Sequence, residues 1–255
     1  MPRAFSTPTS MSRVAEQVTR ALTRLARPAH DFDARCYFRG DVNLGFYNVG
    51  TTAVRELARS IHSAHRHEWS IDEALALANR LIRDRHLEAK MVGIEVVRRY
   101  RREFAPRLLS VWKRWLAEGH SANWATTDAI CGYLIGPLLA IHPHMAARLR
   151  PWADHRSLWV RRASAVSLVA SARKGHALDL AYEIATRLQP DSEDLIHKAV
   201  GWLLREAGKT DVRRLQRYLL RRGSSMPRTS LRYAIERMTP AQRQRLLRMT
   251  RAPRR

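Results

Sequence analysis

DLIHKAVGWLLREAGK, residues 194–209, is the stretch from which the fold can be read. At about 100° per residue, Ile196, Ala199, Val200, Leu203 and Ala207 fall on one stripe, which is the period of an amphipathic helix. An acid opens the stretch and Gly208 closes it, matching the polarity of a helix's two ends. The same signals recur along the chain. Ser70-Ile-Asp-Glu73 and Thr239-Pro-Ala-Gln242 are capping boxes, the second with Pro240 at the first helical position. Pro190-Asp-Ser-Glu-Asp194 breaks one helix and loads acids onto the start of the next, and Gly175, Gly208 and Gly223 read as stops. Strand alternation is absent. About a dozen helices of roughly 10–18 residues therefore lie between residues 51 and 250, joined by short connections.

Short connections imply antiparallel neighbours, and a period of roughly 35–45 residues per helix pair suits a HEAT-like repeat. The expected fold is all-α: a right-handed superhelical solenoid of HEAT-like antiparallel helix pairs with a concave basic face. Residues 1–10 are expected as a disordered lead, 11–250 as a single repeat domain and 251–255 as a basic tail. A first amphipathic helix should end before Pro28, and residues 28–50 should form an ordered loop.

The 255 residues include 46 Lys and Arg against 23 Asp and Glu, a net charge of +23. A codon bias toward arginine explains Arg over Lys but not the shortage of acids. A folded, strongly basic domain points to a polyanion, because neutralising phosphates releases counterions. Cys36 and Cys131 are far apart and lack a Cys-x-x-Cys context, so neither a disulfide framework nor a zinc site is indicated. His62, His65 and His67 have partial metal spacing that no acid or thiolate completes, and His142 and His144 flank Pro143 as turn residues. No metal and no cofactor are expected. No apolar stretch is expected to approach the roughly 18 residues that span a bilayer. The Arg- and Ser-rich start reads as a short lead before the first helix, and the protein is expected to be cytoplasmic and nucleoid-associated.

Three helical faces break the rule that cores are apolar. In SANWATTDAI (121–130) and the run after it, Trp124, Cys131, Ile135, Leu138 and Leu139 share a stripe, and Asp128 falls inside it. Asp128 is an acid in the first turn of a helix capped by Thr126 or Thr127, a partner of a buried Arg, or part of a site. In RSLWVRRASAVSLVA (156–170), Leu158, Trp159, Val166, Val169 and Ala170 define the core face, with Ser157, Arg161 and Ser164 opposite. Arg162 falls on the apolar side, where its permanent charge needs a carboxylate or a phosphate. In 194–209, Trp202 lies off the core stripe beside Lys198 and Arg205. It is either covered by a neighbouring repeat or presented as a platform for a sugar or base.

These stretches resemble the DNA alkylation repair enzyme family (AlkD-like DNA glycosylases with HEAT-like repeats). The resemblance is carried by KMVGIEVVRRY (90–100), NWATTD (123–128), WVRRASAVS (159–167), IHKAVGWLLREAGK (196–209) and MPRTSLRYAIERM (226–238), and runs from about Tyr37 to Met249. It implies excision of cationic N-alkylated purines, such as 3-methyladenine and 7-methylguanine, from double-stranded DNA by a cofactor-free monomer. By the same resemblance Asp128 is the catalytic carboxylate, Trp124 and Trp202 are aromatic walls, and Arg162 is a substrate anchor. Arg205, Lys198, Arg161 and Tyr37 are assigned to DNA binding. Relatives that lack the aromatic and acidic set are not expected to cut, and this sequence retains the set. Two other classes fit the charge: a non-catalytic HEAT-like module binding DNA or RNA, and a helical protein-interaction scaffold.

Overall fold

The computed structural model describes residues 8–29, 33–38 and 43–251, with side chains from Met11 onward apart from those of residues 34 and 35. Among them the regular structure is helical, with one isolated bridge between Gly45 and His86. The chain divides into two compact units, Met1–Leu134 and Ile135–Arg255.

The first unit holds α1 (Pro8–Leu25), α2 (Thr51–His65), α3 (Ile71–Leu81), α4 (Leu87–Arg99), α5 (Leu108–Ala117) and α6 (Trp124–Ala129). Helix α1 ends before Pro28 as expected, but it starts at Pro8, so residues 8–10 of the expected lead are helical. Residues 1–7 and 252–255 lie outside the described residues. The capping box at Ser70 forms: the Ser70 hydroxyl accepts from Asp72 N–H, and the Glu73 carboxylate accepts from Ser70 N–H at 2.7 Å. Ile71 N–H adds a bond to the Glu103 carboxylate at 2.9 Å, so α3 is capped partly from 32 residues downstream. Ser70→Ala is expected to cost about 1 kcal/mol and Ser70→Gly only a few tenths, as read by the shift of the urea midpoint at constant slope.

Helix α4 is the centre of this unit, packed by α2 and α3 and touched by α6. Helix α1 packs on α3 and α2 on α4, and Trp115 of α5 donates from Nε1 to Asn79 of α3 at 2.6 Å. The loop before α2 is pinned to α4. Glu88, 5% exposed, accepts from the backbone N–H of Tyr47 at 3.1 Å and of Val49 at 3.3 Å. Two peptide hydrogen bonds repay the desolvation of that carboxylate.

The second unit holds α7 (Gly136–Ile141), a 3-10 segment (Pro143–Asp154), α8 (Leu158–Val166), α9 (Val169–Arg173), α10 (Leu178–Arg187), α11 (Asp194–Ala207), α12 (Val212–Arg222), α13 (Arg228–Ala234) and α14 (Pro240–Met249). Helices α8, α11 and α13 pack in succession, while α10 follows the 3-10 segment and α12 packs on α14. Tyr182 and Tyr218 join α10 to α12 with ring centroids 5.1 Å apart. A regular spacing shows in the side-chain bonds. Arg161–Asp191, Arg173–Glu206, Gln189–Arg222 and Ser230–His197 link residues 30 to 33 positions apart, shorter than the expected period of roughly 35–45. Polar groups of one helix are thus satisfied on an element about 30 residues away.

The core stripe read in 194–209 is correct, since Ile196, Ala199, Val200, Leu203 and Ala207 are all buried. The face read in 156–170 needs correction. Leu158 and Trp159 are only half-buried and Ala170 is exposed, whereas Val160, Ala163, Ser164 and Ala165 are buried. Helix α8 is contacted by the 3-10 segment, α10 and α11, so small residues line nearly its whole circumference and no single stripe exists. Several helices are also shorter than expected, because 124–141 is interrupted by a π-helical turn and 158–173 is interrupted after Val166.

Candidate functional site

Residues 121–135 build the first element of the site. Ser121 and Thr127 are fully buried, and Thr127 Oγ1 donates to the Ser121 carbonyl at 3.1 Å. Asn123, 3% exposed, is the N-cap of α6 and accepts from Thr126 N–H at 2.8 Å. The cap is therefore neither Thr126 nor Thr127, and α6 has no acid in its first turn. Asp128 stands one turn further in, half-buried, on the same side as Trp124 four residues earlier. The first-turn explanation for this carboxylate falls away with that geometry.

Trp124 is 36% exposed and does not join the core. Its Nε1 donates to the Tyr37 carbonyl at 3.2 Å, and its ring stacks on Phe38 with centroids 5.3 Å apart and planes 13° from parallel. Immediately after α6 the chain makes a π-helical turn, Ile130–Ile135, of the kind often found at functional sites. An even α-helix would set Tyr133 opposite Trp124, nine residues on. Both rings nevertheless line one cavity of about 410 Å³ with Tyr37, Phe38, Met91 and Arg55. Arg98 lies over the Tyr133 ring, 4.5 Å from its centroid. Tyr37 and Trp124 are thus brought together. Phe38 and Tyr133 were not singled out in the sequence, because their neighbours come from a loop and from α4.

The segment containing Asp128 also corrects the expectation about membrane-length stretches. Trp124–Ile141 spans 18 residues with mean hydropathy 1.3, enough by composition to cross a bilayer. Because 56% of it is buried within the protein, its apolar character is accounted for as core.

In the second unit, Arg162 is 5% exposed and its Nη1 donates to the Leu195 carbonyl of α11. A backbone oxygen, not only a carboxylate or phosphate, thus helps to hold this guanidinium. Arg161 bonds Asp191 Oδ2 at 2.6 Å and the His155 and Arg156 carbonyls at 3.0 Å. Lys198 pairs with Asp194 at 2.7 Å, and that hydrogen bond holds its ammonium above the ordinary value against partial burial and the nearby Arg162. Arg205 pairs with Glu236 and lies 3.5 Å from Glu206. The substrate anchor Arg162 and the three cations assigned to DNA in this unit, Arg161, Lys198 and Arg205, therefore all engage protein groups. Trp202 is half-buried on α11, flanked by Lys198 and Arg205 at helical spacing and off the buried stripe, as read from the sequence.

The histidines with metal-like spacing go separate ways. His62 packs edge-on to Tyr100, His65 stacks on Trp69, and His67 bonds Arg66. Among the described residues no three His, Cys, Asp or Glu side chains are grouped to hold a metal.

The fold has a structural counterpart. A structure described as a predicted DNA alkylation repair enzyme from Enterococcus faecalis superposes with a TM-score of 0.72 at 16% identity, over 84% of this chain and 97% of that one. No curated protein matches significantly. The family model described as DNA alkylation repair enzyme matches residues 18–238, which covers most of both units and every candidate-site residue named above. This chain belongs to the DNA alkylation repair enzyme family.

Proposed function

We propose that this protein is a monofunctional DNA glycosylase, acting as a monomer on double-stranded DNA in the compartment that holds the nucleoid. Its substrates are cationic N-alkylated purines, such as 3-methyladenine and 7-methylguanine, and Asp128 is its catalytic carboxylate. The observation that carries the reading is the setting of Asp128 on α6. The carboxylate is neither an N-terminal capping acid nor sealed in the core, and it shares a side with an exposed tryptophan at the rim of an aromatic cavity.

The chemistry suits those groups. An N3- or N7-alkylated purine is already a cation and leaves as a neutral base with the bonding pair, without prior protonation. Positive charge then develops on the deoxyribose in an oxocarbenium-like transition state. An ionised Asp128 stabilises that charge and orients a water, whose oxygen bonds C1′ while its proton is lost to solvent. The face of Trp124 attracts the cationic purine or sugar and displaces bulk water, and Trp202, off its core stripe, offers a second ring of the same kind. Arg161, Arg162, Lys198 and Arg205 contact phosphates by sharing donors beyond those their protein partners occupy, which a five-donor guanidinium and a three-donor ammonium permit.

Incubation with randomly methylated duplex DNA and chromatography of the soluble fraction tests the reading. Free 3-methyladenine and 7-methylguanine are expected above the spontaneous rate, while neutral uracil in a matched duplex stays in place. DNA binding with no release above the spontaneous rate would leave a binding module and end the glycosylase assignment.

A further inference from the structure

The first unit carries a second hollow that the reaction just described does not use. Arg55 and Arg59 of α2, Arg98 and Arg99 of α4, and Arg101 and Arg102 of the turn after α4 surround a cavity of about 580 Å³ with His62 and Glu95. It arises because α2 packs along α4 and each presents arginines to the space between them, α4 through the run RRYRR at 98–102.

Six guanidinia here face one carboxylate. Glu95 is 3% exposed and already committed, to Arg55 Nε at 3.4 Å and to Arg98 Nη1 at 3.2 Å. Arg59, Arg99, Arg101 and Arg102 have no carboxylate partner among the described residues. Arg99 is the most exposed to this imbalance. Its Nε is buried without a hydrogen-bond acceptor, and its Nη2 finds only the Arg55 carbonyl, at 3.3 Å. Burial lowers the affinity of Arg99 for its proton and Arg59 and Arg98 add to the effect, Glu95 opposing them. His62 is lowered likewise, by burial and then by Arg99 and Arg66. Concentrating like charge around a partly dry hollow is unfavourable for the protein alone and is reversed when an anion enters.

Two residues place this hollow. Arg55 and Glu95 line it and also line the aromatic cavity that holds Tyr37, Trp124 and Tyr133. The two cavities are neighbours within one unit, one apolar and aromatic, the other strongly cationic. Base or sugar on one side and phosphate on the other is the alternation that a nucleic-acid strand presents.

We propose that the arginine hollow is a phosphate clamp, taking one or two backbone phosphodiesters of the DNA strand beside the nucleotide that meets Trp124. Arg99 and Arg102 bind the phosphate oxygens, while Glu95 holds Arg55 and Arg98 in position. The inference rests on the glycosylase reading for the identity of the polyanion and for the nucleotide placed at Trp124.

The test is fluorescence anisotropy with an undamaged, labelled 20-base-pair DNA duplex across about 50–200 mM salt, a range over which phosphate contacts register strongly. Arg99→Gln with Arg102→Gln is expected to weaken binding on the order of tenfold and to flatten the slope of log K against log salt by about one to two. The control is Arg221→Gln with Arg245→Gln, exposed positions on α12 and α14 that remove the same charge. It should leave the slope unchanged and the affinity within about threefold. Should Arg99→Gln unfold the protein, Arg101→Gln with Arg102→Gln, both exposed, is read in its place. Equal loss in the pocket and control pairs, or no loss in either, overturns the clamp. So does inorganic pyrophosphate binding as tightly as the duplex, or a duplex RNA bound in preference to DNA. Because the probe is undamaged, base release plays no part in this result. Failure to cut methylated DNA with the clamp effect intact counts against the glycosylase reading alone.

Discussion

Asp128→Asn is expected to lower the single-turnover rate of 7-methylguanine release by roughly 10²–10³-fold, the range lost when one preorganised electrostatic stabiliser is removed. The substitution is nearly isosteric, and α6 keeps its Asn123 cap and the buried Ser121–Thr127 bond, so the helix is retained. What disappears is negative charge facing a sugar that becomes positive in the transition state. Some rate survives because the alkylated purine is intrinsically labile. Binding moves the other way if it moves at all. Removing one acid from a chain of net charge +23 strengthens attraction to DNA, so the affinity for an undamaged duplex should be unchanged or slightly tighter. A rate defect with intact binding is the signature of a catalytic carboxylate. Parallel losses of both would mark Asp128 as structural.

Gly201→Ala is the substitution expected to damage the fold most. Helices α11 and α13 form the most extensively packed pair in the second unit, and Gly201 lies at their closest approach. A Cβ there would stand 2.3 Å from Tyr233 Cβ and 2.6 Å from the Ser230 carbonyl oxygen. Neither atom can rotate away, and Ser230 is itself buried and bonded from Oγ to the His197 carbonyl at 2.8 Å. Alanine gains about 1 kcal/mol of helix propensity over glycine, but overpacking typically costs 1–3 kcal/mol and occasionally more when backbone must move. The clash wins. A net loss of about 2 kcal/mol and a fall in Tm of roughly 5 °C are expected by calorimetry. Gly132→Ala, where an added Cβ meets nothing within 4 Å, should leave Tm unchanged or raise it slightly.

Most of the helices and several of their ends were legible from local chemistry. Capping boxes at Ser70 and Thr239 and stops at Gly208 and Gly223 involve residues within four positions of each other. The stripe of α11 was legible for the same reason. The environment of α8 was not, because three elements cover it and its buried set follows contacts that no periodicity encodes. The π-helical turn after Asp128 was equally invisible.

The candidate site divides in the same way. Asp128 and Trp124 stand out as a pair at helical spacing, and so does Trp202 among cations. The partners of Arg161, Arg162 and Arg205 lie 30 to 33 residues away, so a pattern of charge alone gave no sign that protein groups engage them. The arginine hollow was half legible: RRYRR is conspicuous, but Arg55 meets Glu95 across 40 residues, through the packing of α2 on α4.

The most direct measurement uses a duplex with one 7-methylguanine at a defined position, mixed with excess enzyme and sampled for two products at once. The account predicts free 7-methylguanine and an alkali-labile abasic site appearing together, one for one, with the strand intact until alkali is added. It predicts neither product above background with Asp128→Asn on the same time scale. Release by Asp128→Asn at the wild-type rate, or saturating binding by the wild type with no free base, would contradict it.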